Sequence, residues 1–316
     1  MAISNGIETV ATAGDVRIVT SKRRARRHGT GLLLLAALAW GTGNVSQKTI
    51  LDHLDAYAAN GITCLIGAAV LYPLARREPA APTNGSRGLL LLVALTFTLA
   101  ATLMQVGYGH TSVTKAGFLV NTSAVLTPVI GWFLFRQCPP LLIWPASLCA
   151  LSGVFLMGGG ALLQLAFGDV LALAAGLAFA FWNLFVAQYV TRYHRALFMT
   201  VIQLLCCGVV CLGISVFANG LPDAAAVWAA LPEIVMLGVV SKGLAYALMA
   251  LGMRSVSASA GAILVSTESI FGAACAAMFL AERAGYAQGI GGLFIICGVV
   301  LASCASERVE RRRRSS

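Results

Sequence analysis

Charge is what this sequence has least of. Charged residues are 11% of the 316, against about 25% in a soluble domain, while 59% are hydrophobic. So few charges cannot cover a water-soluble globule of this size, and the mean hydropathy of +0.84 fits a polytopic membrane protein instead. That excludes nucleic-acid modules, soluble Rossmann enzymes and disulfide-stapled secreted folds. No GxxxxGK[ST] run is present, so the chain carries no ATP motor of its own. Strict alternation is missing as well: Gly88-Leu89-Leu90-Leu91-Leu92-Val93-Ala94-Leu95 reads as helix, not as a strand of a membrane barrel. The nine cysteines give no metal or disulfide framework. Cys206, Cys207 and Cys211 sit in an apolar run without partner His or Asp, as small buried hydrophobes do. No cofactor and no metal is implied.

What is present is a succession of apolar runs. They predict ten helices, over 31–51, 56–74, 88–107, 112–135, 141–158, 168–190, 196–217, 228–251, 257–280 and 286–304. The basic run before Leu32 mimics a signal peptide, but the apolar run continues to Ile50, so an uncleaved first span is expected. With the N-terminus inside, every Lys and Arg falls on one side except Lys48, Lys115, Lys242 and Arg283. Excess Lys and Arg marks the cytoplasmic face, so both termini are expected there, in a plasma (inner) membrane protein. Most of the net charge of +10 lies in Lys22 to Arg27 and in Arg308 and Arg311 to Arg314. Beside spans such residues meet lipid headgroups, so the expected macromolecular environment is membrane lipid and not nucleic acid.

The chain also resembles itself. Ser112-Val113-Thr114-Lys115-Ala116-Gly117-Phe118-Leu119-Val120 is similar to the segment Ser255 to Val265, and Ala37 to Trp40 aligns with Gly176 to Phe179, placing Asn44 opposite Asn183. The expected organisation is a disordered basic tail (1–30), two five-helix repeats (31–158 and 168–304) and a second basic tail (305–316). Five is odd, so the repeats are expected upside down relative to one another. That all-α, inverted-repeat architecture belongs to secondary transporters, with a site near mid-membrane between the halves.

Polar groups inside the bilayer need a partner or a wet cavity. Lys242 and Glu268 fall near mid-span; they either flank a cavity and bind the two ends of a zwitterion, or pair with each other to fix packing. Asn44, Gln105, Tyr108, Asn121 and Asn183 are uncharged candidates for the same cavity, with Trp40, Phe179, Trp182 and Tyr246 as its aromatic walls. Gln47, Ser123, Ser266 and Thr267 are further polar positions in the spans. Lys48 and Lys115, near helix ends, either snorkel to water or line the outer mouth. Pro128 frees the carbonyl of Ala124 and, with Gly41 and Gly43, is a candidate gating element. Gly285 and Gly289 present a small-residue packing face. Asp52, His53 and Asp55 make the one local acid–histidine cluster, expected to be a solvated connection.

Ala39-Trp40-Gly41, Lys115 to Leu119, the run Pro128 to Phe135, and Ser266-Thr267-Glu268 leading to Met278-Phe279-Leu280-Ala281-Glu282 together resemble the drug/metabolite transporter superfamily, specifically its ten-helix EamA-type exporters. Gln137 departs from the acid that the family often has there to match Glu282. The resemblance covers about 31–304 and implies export of small metabolites by alternating access, with the broad-specificity exporters of aromatic and neutral amino acids as the most similar members. A small-molecule substrate and a monomer are expected. A multidrug or organic-cation exporter is the alternative, though the first helix lacks an acid. A membrane-embedded transferase is the alternative of a different class.

Overall fold

A computed structural model describes residues 13–79, 86–111, 113–136, 138–157, 166–279 and 286–315. Among them every regular element is helical. In chain order these are α1 (Ala13–Thr49), a 3-10 turn (Ile50–Asp52), α2 (Ala56–Ala75), α3 (Ser86–His110), α4 (Val113–Val120), α5 (Ser123–Phe135), α6 (Ile143–Met157), α7 (Phe167–Tyr193) and α8 (Ala196–Asn219). Next come α9 (Ala224–Ala229), α10 (Leu231–Val235), a π-helical segment (Met236–Ala245), α11 (Tyr246–Gly252), α12 (Ala258–Val265), α13 (Glu268–Phe279) and α14 (Tyr286–Ser315).

Six stretches of the described chain are long and apolar enough to cross a membrane: α2, α3, α7, α8, Leu231–Gly252 and Ala258–Cys275. α5, α6 and the middle of α14 are apolar but shorter. α1 is not among the six; its C-terminal third carries Asn44, Ser46, Gln47 and Lys48.

Local chemistry sets the helix ends. The Asp55 carboxylate accepts the amides of Tyr57 (2.9 Å) and Ala58 (3.0 Å) at the start of α2, and the hydroxyl of Ser215 on α8 (2.8 Å). The acid–histidine cluster is thus built around a helix cap. Asp169 caps α7 through the amide of Ala166 (2.7 Å) and takes the hydroxyl of Thr111 (2.6 Å), joining the end of α3 to the start of α7. The Lys48 ammonium donates to the carbonyls of Tyr108 and Thr111 at the end of α3. Cations favour such a helix C-terminus, where carbonyls lack intrahelical partners.

Two expected spans are discontinuous. The fourth breaks between α4 and α5 at Asn121-Thr122, and the ninth between α12 and α13 at Ser266-Thr267. Carbonyls that lose their helical partners at the breaks are taken up by hydroxyls: Thr122 donates to Leu119 (2.7 Å), Ser266 to Ile263 (2.7 Å) and Thr267 to Leu264 (2.8 Å). The same device serves both breaks, as irregular backbone at membrane depth requires.

Helices pair most extensively as α6 with α14, α3 with α7 and α2 with α8; α1 packs on the π segment, α11 and α13, and α5 on α7 and α12. Small residues permit the close approaches. A Cβ at Gly153 of α6 would fall on the carbonyl of Gly291, and one at Gly298 on the backbone of Ala146 and Ala150. The tightly packed face of α14 therefore runs through Gly291 and Gly298. Gly289 faces open space, against expectation. Gly67 of α2 abuts the π segment beside Lys242.

The N-terminal basic segment, expected to be disordered to residue 30, is helical from Ala13. Its inner end is packed: Ser255 donates to the carbonyl of Ala25 (3.1 Å), and Gly29 lies against Gly252. The basic C-terminal segment likewise continues α14 to Ser315. Gln137, Glu282, Arg283 and Gly285 lie outside the described residues.

Candidate functional site

α1, α3, α7, the π segment and α11 converge with both helix breaks on one cavity of about 670 Å³, its open part included. Trp40, Tyr108, Asn121, Phe179, Trp182, Asn183, Lys242, Tyr246 and Glu268 all line it.

The aromatic wall is one interlocked set. Tyr246 lies edge-on to Trp40 (4.8 Å between centroids), Phe97 (4.9 Å) and Trp182 (5.6 Å), and Phe179 meets Trp182 at 5.7 Å. Edge-to-face pairs at these separations contribute about 0.5–1.5 kcal/mol each beyond burial. Both indole N–H groups are spent on scaffold: Trp40 donates to the Ser241 carbonyl (3.1 Å) and Trp182 to Gln203 Oε1 on α8 (2.8 Å). That leaves the rings to act as apolar surface.

The polar side is organised by Asn44. Its amide donates to Glu268 Oε1 (2.9 Å), and its carbonyl accepts from the Tyr108 hydroxyl (3.4 Å). Asn44 itself does not line the cavity; it holds two residues that do. Asn121 donates to the carbonyl of Gly117 (2.7 Å) and to Ser269 Oγ (3.1 Å), which ties one helix break to the other.

Two groups are left open to a guest. Asn183 Oδ1 is buried without a hydrogen-bond partner. The Lys242 ammonium, on a side chain only 4% exposed, lies 5.8 Å from the centre of the Tyr246 ring. Among the described residues no ion pair joins Lys242 to Glu268, so of the two alternatives the packing pair is not formed. A buried unpaired donor or acceptor costs about 1–3 kcal/mol, which a ligand or water can recover. The cavity thus offers an ammonium, a carboxyl group with one oxygen held by Asn44, an amide oxygen and an aromatic wall.

Gln105 and the three candidate gating residues are not among the residues that line the cavity. Gln105 donates to the Gln47 carbonyl (3.1 Å), fastening α3 to α1. The gating trio is also tied into packing. A Cβ on Gly41 would come within 2.6 Å of Phe271 on α13, and one on Gly43 within 3.3 Å of Ser241. The Ala124 carbonyl freed by Pro128 accepts the Ser147 hydroxyl from α6 (3.1 Å). The cavity further takes in Gln47, Ser123, Ala101, Met104, Val120, Met249 and Val265. Gln47 and Ser123 were visible as polar residues within spans; the apolar five carry no signal apart from the helical face they occupy.

The chain matches the model of the EamA-like transporter family twice, over residues 27–159 and 166–304. It is 26% identical over 157 residues to an uncharacterized transporter of Archaeoglobus fulgidus, covering 50% of this chain and 48% of that protein. To an uncharacterized transporter of Methanothermobacter thermautotrophicus it is 27% identical over 222 residues, 67% of this chain and 63% of that one. These two matches thus span about half and under two thirds of the relatives. A second such transporter of Archaeoglobus fulgidus is 25% identical over 289 residues, 86% of this chain and 96% of its own. One solved structure superposes with a TM-score of 0.71 at 16% identity, covering 89% of this chain and 98% of that one, a likeness of fold alone.

Proposed function

The chain belongs to the EamA-like transporter family, and from that premise we propose that it is a secondary transporter exporting small metabolites, amino acids foremost, by alternating access between two inverted five-helix repeats. The observation that carries the reading is the cavity's composition. Lys242 and Glu268 both reach it unpaired with each other, above an aromatic wall. A zwitterion with an apolar side chain would answer all three: carboxylate to Lys242, ammonium to Glu268 and Asn183 Oδ1, side chain to Trp40, Trp182 and Tyr246.

The inverted-repeat element draws support from three facts. The family model matches once in each half. Each half has one span broken at a small polar pair. The pairing of α3 with α7 is mirrored by that of α1 with the π segment and α11, as a two-fold relation would make it. Ten crossings, with both termini on the cytoplasmic side of the inner membrane and a monomeric unit, complete the proposal.

The test is uptake into proteoliposomes of a panel of radiolabelled neutral amino acids. We expect saturable uptake that Trp182→Ala or Asn44→Ala reduces severalfold at matched protein. Unchanged uptake in both variants would remove the cavity from the pathway. A carboxyl group, Glu268, in a cavity that also has an aromatic wall favours a second reading as well, export of organic cations. Those cations, run in the same vesicles, would be moved in place of amino acids if that reading holds.

A further inference from the structure

The end of the bundle where α2 and α7 finish and α8 begins is closed off from the central cavity. Met249 lines the cavity, and Met253, one turn further along the chain, is fully buried with Tyr189, Val190 and Met199 in a single apolar cluster. The tightly paired helices α2 and α8 stand on one side of this seal; α11 and α12, with α1 packed against both, stand on the other. Glu78, just beyond the end of α2, joins the two sides. Its carboxylate accepts the amides of Leu197 (3.2 Å) and Phe198 (2.9 Å) at the start of α8, a helix N-terminus where an anion is favoured. The same carboxylate takes the guanidinium of Arg254 from the turn between α11 and α12 (2.7 Å). The Arg254 Nη2 group that makes this contact also donates to the His194 carbonyl at the end of α7 (2.7 Å).

We propose that Glu78 and Arg254 form a latch that holds the cavity shut at this end, and that the cavity opens here when the pair parts. The latch rests on the alternating-access reading above. Its two members have different work. Glu78 has two of its partners on α8, so it travels with α2 and α8 as their anchor. Arg254 is the releasable member: it holds through one nitrogen, and its side chain is 33% exposed against 11% for Glu78. Water that reaches the guanidinium can replace the carboxylate, and a part-exposed pair biases an equilibrium by about fivefold or less. A bond of that size favours the closed state without freezing it. Release also strands no charge, because the two α8 amides still answer the Glu78 carboxylate once Arg254 has left. A permanent tie would want the opposite: a pair buried on both sides, costly to part.

The test is the rate at which a membrane-impermeant maleimide labels Met249→Cys from the latched face of oriented vesicles, in the full chain freed of its native cysteines. Glu78→Gln keeps an oxygen for the α8 amides, and Arg254→Gln leaves both amides capped, so each variant removes the ion pair and little else. Labelling from the latched face is expected to rise roughly fivefold in either variant, with no further rise in the double variant. Labelling from the opposite face should not rise. Ser147→Ala, which removes a buried hydrogen bond between α5 and α6, should leave both rates as they were. Thermal midpoints check that every variant folds. Unchanged labelling in the Glu78 and Arg254 variants, a rise from both faces, or an equal rise in Ser147→Ala would overturn the latch. The assay needs no substrate, so amino-acid uptake by the native chain keeps the two readings apart. Uptake with unchanged labelling removes the latch alone; a rise in labelling without uptake leaves the latch standing and removes the proposed cargo.

Discussion

Asn183 and Asn44 are aligned in the two halves of the sequence yet have different work. Asn44 has a partner at each end of its amide, Glu268 and Tyr108. Asn183 keeps its oxygen without a partner at the cavity wall. A buried orphan oxygen costs stability, so replacing it with an apolar residue of like size should be neutral or stabilising for the fold. Asn183→Leu is therefore expected to hold or raise the melting temperature in detergent while lowering amino-acid uptake severalfold. A variant that melts earlier and transports normally would make Asn183 a packing residue. The polar and aromatic members of the site were legible in the sequence because such residues are costly inside an apolar run and stand out there. Gln105 shows the limit of that logic: its cost is met by the Gln47 carbonyl, and cost alone does not say which neighbour meets it.

At the scale of helices, Pro128 and Ser147 form a matched pair. The proline removes the donor that the Ala124 carbonyl would otherwise have, and Ser147 replaces it from the neighbouring helix. Ser147→Ala should cost about 1 kcal/mol, the worth of one hydrogen bond to a buried group. In a Pro128→Ala background the restored amide serves the same carbonyl, so the cost should largely vanish. Thermal or chemical denaturation of the four variants in a double-mutant cycle checks this, and additive effects would contradict it. The placement of the six long apolar stretches was readable from hydropathy alone. The two breaks and the π-helical turn were not, because Asn121-Thr122 and Ser266-Thr267 lie inside runs whose average hydropathy stays high. The departure from a straight helix there is set by hydroxyls that satisfy their own chain, a short-range effect that window averages remove.

For the whole molecule, the question is what drives a substrate through. Glu268 is the carboxyl group at the cavity, seated at the start of α13 immediately after the second break, and a carboxyl can carry a proton in exchange for cargo. If it does, an imposed pH gradient should accelerate flux in the native protein and leave Glu268→Gln indifferent to the gradient. The same response in both would make transport independent of this proton. The weak self-similarity of the two halves has its counterpart in the family model, which matches once over 27–159 and once over 166–304. The N-terminal segment was expected to be disordered because its polarity was taken for absence of structure, yet from Ala13 it is helical. Lys- and Arg-rich segments extend helices well, and α1 and α14 are carried outward in that way.

Reciprocal access is the claim on which the functional account turns. Gln47 and Met249 line the same cavity from α1 and α11. In a background freed of the native cysteines, Gln47→Cys and Met249→Cys can be labelled by a membrane-impermeant thiol reagent from either face of oriented vesicles. Reversing a substrate gradient is expected to raise labelling of one site from its own face while lowering that of the other from the opposite face. Both cysteines reacting from the same face, unchanged whichever way the gradient runs, would contradict alternating access through this cavity.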